Sequence, residues 1–431
     1  MHAQPGQPTS VSPGVYALDC SATVYPYLAT KRVNQIYRMA LELDTQIDVQ
    51  ILRRVVRNMP RRFPTMFVTL RKDKDTYRLE TMRHPETAVC PEPAVYCQPF
   101  RLQNGCDLLR VTYKQNRLGI EVFHSISDGS GGMILLKTLA AEYYRALGET
   151  IPSEMGVCDC AEPAREAETQ DSFRTCYEPE IDGADRAAKH AMQYQKHGPF
   201  APWHQTEIRI PIDPLKALTR ANNATITEYA AALYLDILRR TKDAAHTRKP
   251  IALSVPINLR PIFQSETLRN FSLYFLATVP QSTSEPTFED ILRHVQRQLR
   301  EGVDPQLLRR MIHQNVSQAE LPVFVRSPRV VKKAILRVGA ALYGESLFTS
   351  TFSNLGVFRL PEPLAKHVLS FHAMLGESPV NHIKILSYCY NGVVSLMFSS
   401  RLASHELEDA MCERLRQAGL SFDVVRLPDG C

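Results

Sequence analysis

From Gly148 to Pro202 the sequence nearly loses the apolar periodicity that marks the residues on either side, and becomes rich in Glu, Asp, Arg and Ala. A loop of that length is uncommon inside one compact domain. The stretch therefore reads as a polar crossover between two lobes of comparable size, carrying a short helix around Ala184 to Gln195. A chain of 431 residues has room for such a division at ~100–200 residues per unit. The expected organisation is a disordered tail over 1–14, a first lobe over 15–148, the crossover over 149–202 and a second lobe over 203–431.

Both lobes mix strands and helices. In the first, Ile36 to Leu43 alternates as a strand does, and Thr45 to Asn58 places Ile47, Ile51 and Val55 on one helical face before Pro60 stops it. Met66 to Leu70 and Tyr77 to Thr81 flank a turn, as do Leu108 to Tyr113 and Leu118 to Phe123, and a helix is expected from Gly131 to Leu147. In the second, Glu207 to Pro211, Ile251 to Val255, Phe271 to Thr278, Leu347 to Ser353, Ile383 to Cys389 and Val393 to Phe398 read as strands. Thr225-Ile226-Thr227-Glu228 is a capping box that opens a helix through Leu238. Thr287 caps another whose Phe288, Ile291, Leu292, Val295 and Leu299 keep the helical period, and Glu406 to Ala418 is amphipathic. The fold class is α/β (α+β), each lobe a mixed sheet with packed helices.

Composition narrows the function classes. With 44% hydrophobic and 22% charged residues, and 51 basic against 45 acidic side chains, most of the chain is neither disordered nor strongly basic. Arg53, Arg54, Arg57, Arg61 and Arg62 lack the interleaved aromatics of nucleic-acid binders and read as a solvated helix face, so no nucleic-acid partner is expected. No apolar run approaches the ~18–20 residues of a membrane span, and Met1 to Gly14 lacks the basic and apolar regions of a signal peptide. A cytoplasmic monomer is the expectation. The 10 cysteines form no paired C-x-x-C elements. Cys158, Cys160 and Cys176, even with His190 and His197 following, are expected to be free thiols of the crossover, and no metal is expected.

The chemistry-bearing element is His124-Ser125-Ile126-Ser127-Asp128-Gly129, between the end of the strand Leu118 to Phe123 and the next helix. A histidine there is held by the sheet while its ring projects into open space, available as a general base near neutral pH. Asp128, after the chain has turned, is suited to anchoring the loop, and Gly129 permits a backbone geometry that other residues resist. A plainer alternative makes Asp128 or Ser130 a helix cap and His124 a core residue. A serine hydrolase is not indicated, because no G-x-S-x-G elbow is present.

The motif resembles the His-x-x-x-Asp-Gly signature of the condensation-domain superfamily of acyltransferases, which includes the chloramphenicol acetyltransferases. Ser254-Val255-Pro256-Ile257-Asn258-Leu259-Arg260-Pro261, Arg269-Asn270-Phe271 and Phe352-Ser353-Asn354-Leu355-Gly356 extend the likeness over nearly the whole chain, and favour the alcohol acetyltransferase and polyketide-associated branches. Phe123 stands where peptide condensation domains carry a first histidine, and the D-F-G-W-G element of plant relatives is missing, which favours a stand-alone O-acyltransferase.

The resemblance implies two chloramphenicol-acetyltransferase-like lobes with a tunnel between them, the donor and acceptor entering from opposite faces. His124 would take a proton from an alcohol or amine as it attacks a thioester of coenzyme A or of a carrier protein, with no acyl-enzyme. Asp128 would hold the loop by a two-pronged bond to Arg260, a Gly129-side backbone amide would meet the oxyanion, and Asn270, Ser353 and Asn354 would border the substrates. Lys332 and Lys333 are weaker candidates for the cofactor's phosphates. A binding protein that kept this fold without the reaction is the alternative from another class.

Overall fold

The structure is a computed structural model, and it describes residues 14–30, 35–184, 189–279 and 285–427. The tail expected over 1–14 lies, apart from Gly14, outside the described residues. The described residues form three sheets. One has the order Val368–Leu375, Ile36–Leu43, Arg117–Phe123, Leu109–Lys114, Val89–Pro91. The largest runs Ser272–Thr278, Ala252–Asn258, Ser350–Val357, Ile383–Tyr390, Val393–Leu402, Phe200–Pro211, Asp423–Leu427. A third joins Val15–Ala17, Tyr77–Thr81, Val68–Lys72 and Cys106–Asp107.

The strand Ile36–Leu43 is buried on both faces, as a central strand covered on two sides must be. Two of its residues are charged: Glu42 is half-buried, and Arg38, 2% exposed, is neutralised by Glu92 and hydrogen-bonded to Thr112 Oγ1 at 2.9 Å. The helix Gly129–Ala146 lays Leu135, Leu136, Leu139, Ala140 and Tyr143 into the same core. In the second half, the helices Ile226–Arg239, Phe288–Gly302 and Glu406–Gln417 cover the largest sheet. The Thr225–Glu228 capping box forms as expected, with Glu228 N–H donating to Thr225 Oγ1 at 3.2 Å and Thr225 N–H to Glu228 Oε2 at 2.7 Å.

Val368–Leu375, from the second half, pairs antiparallel with Ile36–Leu43, so the sheet behind the motif is built from both halves. The crossover is not a solvated ribbon either. Glu168 is 4% exposed and receives both Nη groups of Arg62, each at 2.5 Å, so Arg62 is buried rather than part of a solvated arginine face. Arg53, Arg54, Arg57 and Arg61 are exposed.

The helix expected at Ala184 to Gln195 does not form in its described residues; the crossover's helices are the single turns Glu166–Thr169 and Ser172–Thr175. Ala191 N–H donates to the Ser346 carbonyl at 2.9 Å and Met192 N–H to the Pro250 carbonyl at 2.9 Å. Those long-range bonds hold the segment outside a helix. Two long helices, Pro305–Ala319 and Arg329–Tyr343, appear where no element was expected. Cys158, Cys160 and Cys176 are free thiols. Among the described residues, no helix is long and apolar enough to cross a membrane.

Candidate active site

His124 prolongs its strand by one bond, its N–H donating to the Gln35 carbonyl at 2.8 Å. The chain then turns through Ser125, Ile126 and Ser127, all fully buried. Ser127 Oγ donates to the Leu268 carbonyl at 2.7 Å, which ties the turn to the second half of the chain.

Asp128 caps the helix Gly129–Ala146, and it also pairs with Arg260. Its Oδ1 accepts from Ser130 N–H at 3.1 Å and Gly131 N–H at 3.2 Å, while Oδ2 accepts from Phe271 N–H and Arg260 Nη1, both at 2.9 Å. Burial opposes ionisation here, but the Arg260 charge and hydrogen bond, with the Phe271 and Gly131 amides, outweigh it and hold the carboxyl below its ordinary value. The expected two-pronged bond to Arg260 is therefore corrected to a single one. The cap occupies the other carboxylate oxygen, and the guanidinium spends its remaining donors on the Thr267 carbonyl at 2.7 Å, the Arg269 carbonyl and Asn258 Oδ1 at 3.1 Å. Arg260 is a hub that fastens 258–271 to the motif.

Asn270 meets the catalytic candidate directly. His124 Nδ1 lies 2.9 Å from Asn270 Oδ1. The amide's other end, Nδ2, donates to Asp19 Oδ2 at 3.2 Å, and Asn270 N–H donates to the same oxygen at 3.3 Å. Asp19 is fully buried and is held by Ala22 N–H at 2.6 Å and Ser21 Oγ at 3.1 Å. With the NH2 end claimed by a carboxylate, the end facing His124 is an oxygen that can only accept. In the neutral ring Nδ1 must then carry the hydrogen, which leaves the Nε2 lone pair free.

Two tyrosines flank the ring: Tyr25 with centroids 5.1 Å apart, and Tyr37 edge-on at 5.5 Å. Tyr37 donates to the Asp128 carbonyl at 2.9 Å. Burial, reinforced by the Asp19 and Asp128 charges, raises the Tyr25 phenol, so it is a neutral O–H.

Gly129 is required for space rather than for an unusual backbone, since its φ is not positive. A Cβ there would stand 2.7 Å from Leu355 Cδ2, and one on Gly131 would stand 2.2 Å from the Leu268 carbonyl oxygen. Of the first four amides of this helix, Ser130 and Gly131 are used by the Asp128 side chain and Gly132 by its carbonyl at 2.9 Å. Asp128 does not take the remaining one, the Gly129 N–H, which makes it the candidate anion donor of this turn.

The remaining sequence candidates lie further out. Ser353 is half-buried in the strand Ser350–Val357. Asn354 is exposed and its amide is used within the fold, Nδ2 donating to Thr227 Oγ1 at 2.7 Å and Oδ1 accepting from Gly356 N–H at 2.8 Å. It is the neighbouring Leu355 that reaches the motif. Lys332 donates to the Asp75 carbonyl at 2.8 Å and lies over the Phe324 ring, so its charge is already engaged, and Lys333 is half-buried on the same helix. Sequence reasoning missed Asp19, Tyr25 and Tyr37. Only Asp19 had a local signal, the Asp-Cys-Ser-Ala turn in which an aspartate accepts from the backbone three residues on.

The sequence matches no protein-family model and no curated protein. Solved structures do match. Polyketide synthase associated protein 5 from Mycobacterium tuberculosis superposes with a TM-score of 0.59 at 15% identity, covering 92% of this chain and 96% of that one. A trichothecene 15-O-acetyltransferase from Fusarium sporotrichioides gives 0.59 at 10% identity, over 94% and 95% of the two chains. The first condensation domain of the CDA synthetase gives 0.58 at 14% identity, over 95% of each. With its mixed sheets and packed helices matched along nearly its full length, the chain has the fold of the condensation-domain and chloramphenicol-acetyltransferase-like acyltransferases.

Proposed function

We propose that this chain is an acyltransferase that moves an acyl group from a coenzyme A thioester to an alcohol, or to an amine, with His124 as general base. The observation that carries the reading is the hydrogen-bonded series Asp19, Asn270, His124, which leaves Nε2 unprotonated in the neutral ring. Nε2 takes the acceptor's O–H proton as its oxygen bonds to the thioester carbonyl carbon, and the carbonyl oxygen becomes an oxyanion. Asn270 Oδ1, facing Nδ1–H, supports the imidazolium that forms. The Gly129 N–H and the Tyr25 O–H are the candidate donors for the oxyanion. Collapse then breaks the C–S bond, and the imidazolium returns its proton to the departing thiolate, with no acyl-enzyme. A positioned base is worth ~10²–10⁴-fold in rate.

An alcohol acceptor is favoured by the absence of a second histidine before His124 and by the O-acetyltransferase among the similar structures. The site draws His124 and Asp128 from the first half and Arg260 and Asn270 from the second, so the two lobes are proposed to work as one catalytic unit and neither alone. The test is thiol release, followed with a dye, from acetyl-coenzyme A offered with a panel of alcohols and amines. Acceptor-dependent release that disappears in His124→Ala supports transfer. Equal rates for wild type and His124→Ala across acyl-coenzyme A and acyl-carrier donors overturn it, and release only from the carrier would reassign the donor.

A further inference from the structure

A second group of chemistry-bearing side chains lies in the largest sheet, remote from His124. His204, on the strand Phe200–Pro211, is 4% exposed, and its Nδ1 donates to the Pro202 carbonyl at 3.1 Å. Nε2 therefore carries the lone pair, and it is buried without a partner. Against it stands the start of the helix Glu406–Gln417. His405 is its N-cap residue, and Glu408, three residues on, is 1% exposed with both carboxylate oxygens buried and unpartnered. His405 Nδ1 is also buried and unpartnered, 3.6 Å from Glu408 Oε1, which is too long for a hydrogen bond. The two imidazole rings lie 4.9 Å apart, and the ligand atoms of all three residues fall within 4.8 Å of one another.

Buried polar groups are almost always hydrogen-bonded, and an unpaired buried carboxylate is among the costliest to leave alone. Here three unsatisfied groups converge. A proton shared between two of them would leave the third unsatisfied, whereas a divalent cation accepts a lone pair from all three at once. We propose that His204 Nε2, His405 Nδ1 and the Glu408 carboxylate bind one divalent transition-metal ion, zinc by the chemistry of the ligands.

Two imidazoles and a carboxylate are a familiar zinc set, with bonds of ~2.0–2.2 Å. Tetrahedral bonds of that length place ligand atoms about 3.4 Å apart, close to the His405–Glu408 separation already present. The widest pair closes by side-chain rotation. The Pro202 carbonyl on His204 Nδ1 is the outer contact that fixes which nitrogen of a metal-binding histidine points inward. Thr206, on the same face of the strand two residues along, has a buried hydroxyl without a partner, suited to hold a water in the fourth position. In the largest sheet Ser272–Thr278 stands first and Phe200–Pro211 sixth, so at ~4.8 Å per strand the site lies about 24 Å from the Asn270 end. The ion fastens a strand and a helix that are far apart in sequence.

The full-length protein, stripped with a chelator and desalted, would be loaded with Zn²⁺ and its metal content measured, and in parallel titrated with Co²⁺ while its visible absorption is followed. One zinc per chain, a higher melting temperature and the intense absorption of tetrahedral Co²⁺ are expected. Glu408→Gln keeps the shape of the buried side chain and His405→Ala alters one that is one-third exposed, so both variants should fold. Each should lose more affinity than the ~10–100-fold that removal of an outer contact costs. Failure of the wild type to retain zinc, or zinc retained equally by both variants through its thiols, overturns the site.

Discussion

Removing Arg260 tests the frame that holds the motif, because Asp128 and Arg260 have side chains only 6% and 11% exposed and come from opposite halves of the chain. Breaking a buried pair by deleting one partner costs ~3–5 kcal/mol, since the other charge stays buried. Three amide donors remain on Asp128, which lowers that cost. The Thr267 and Arg269 carbonyls each lose a donor, which restores about 1 kcal/mol apiece. Arg260→Ala should therefore lose ~3–5 kcal/mol of a total that is ordinarily ~5–15 kcal/mol. With an unfolding entropy of ~2.1 cal/mol/K per residue, a chain of 431 residues shifts by about 1.1 °C per kcal/mol, so the melting temperature falls by roughly 3–6 °C.

The pH dependence separates this from a general packing loss. Asp128 is held below its unfolded value of ~3.9, so its contribution is fully present above that pH and is lost as pH falls through the lower folded value. Without the guanidinium, burial prevails and the variant loses this contribution. The gap in melting temperature should thus be widest near neutral pH and narrow below about pH 4. Thermal scans of both proteins across the acid range measure it. An absent gap at neutral pH, or one that persists unchanged into acid, refutes the assignment.

Asn270→Ala should lower kcat by ~10–100-fold with little change in KM, because the side chain orients the ring of His124 and is not proposed to touch the substrate; steady-state kinetics with the best acceptor decide it. Gly129→Ala and Gly131→Ala should differ in kind. The first meets the flexible end of Leu355, costs ~1–3 kcal/mol and is relieved by Leu355→Ala, whereas the second meets the Leu268 backbone and has no such rescue, as denaturant melts of the single and double variants would reveal.

The sequence made the local parts of this site legible and left its assembly hidden. The strand ending at Phe123 and the helix after it are visible because the apolar period changes there; the helix expected from Gly131 starts at Gly129, with Asp128 as its cap. Capping and ion pairing, posed as rival roles for Asp128, are compatible because a carboxylate has two oxygens. Arg62 was misjudged for a physical reason: composition scores an arginine as solvated, but its bidentate partner Glu168 lies 106 residues away in a stretch that is polar because it carries a buried polar network. Asp304-Pro305 was a readable start for the helix Pro305–Ala319, with Asp304 accepting from Leu307 N–H at 2.9 Å. The strand Val368–Leu375 had no comparable cue, since its pairing with Ile36–Leu43 is set by the whole fold. The same limit applies to the orientation of the base. Asp19 and Asn270 are 251 residues apart, and neither alone reveals that together they fix which nitrogen of His124 bears the proton. His204 and the His405–Glu408 pair stand in the same relation: the pair shares one helix end at i, i+3, but His204 arrives on a strand far away in the sequence, so no local pattern joins the three.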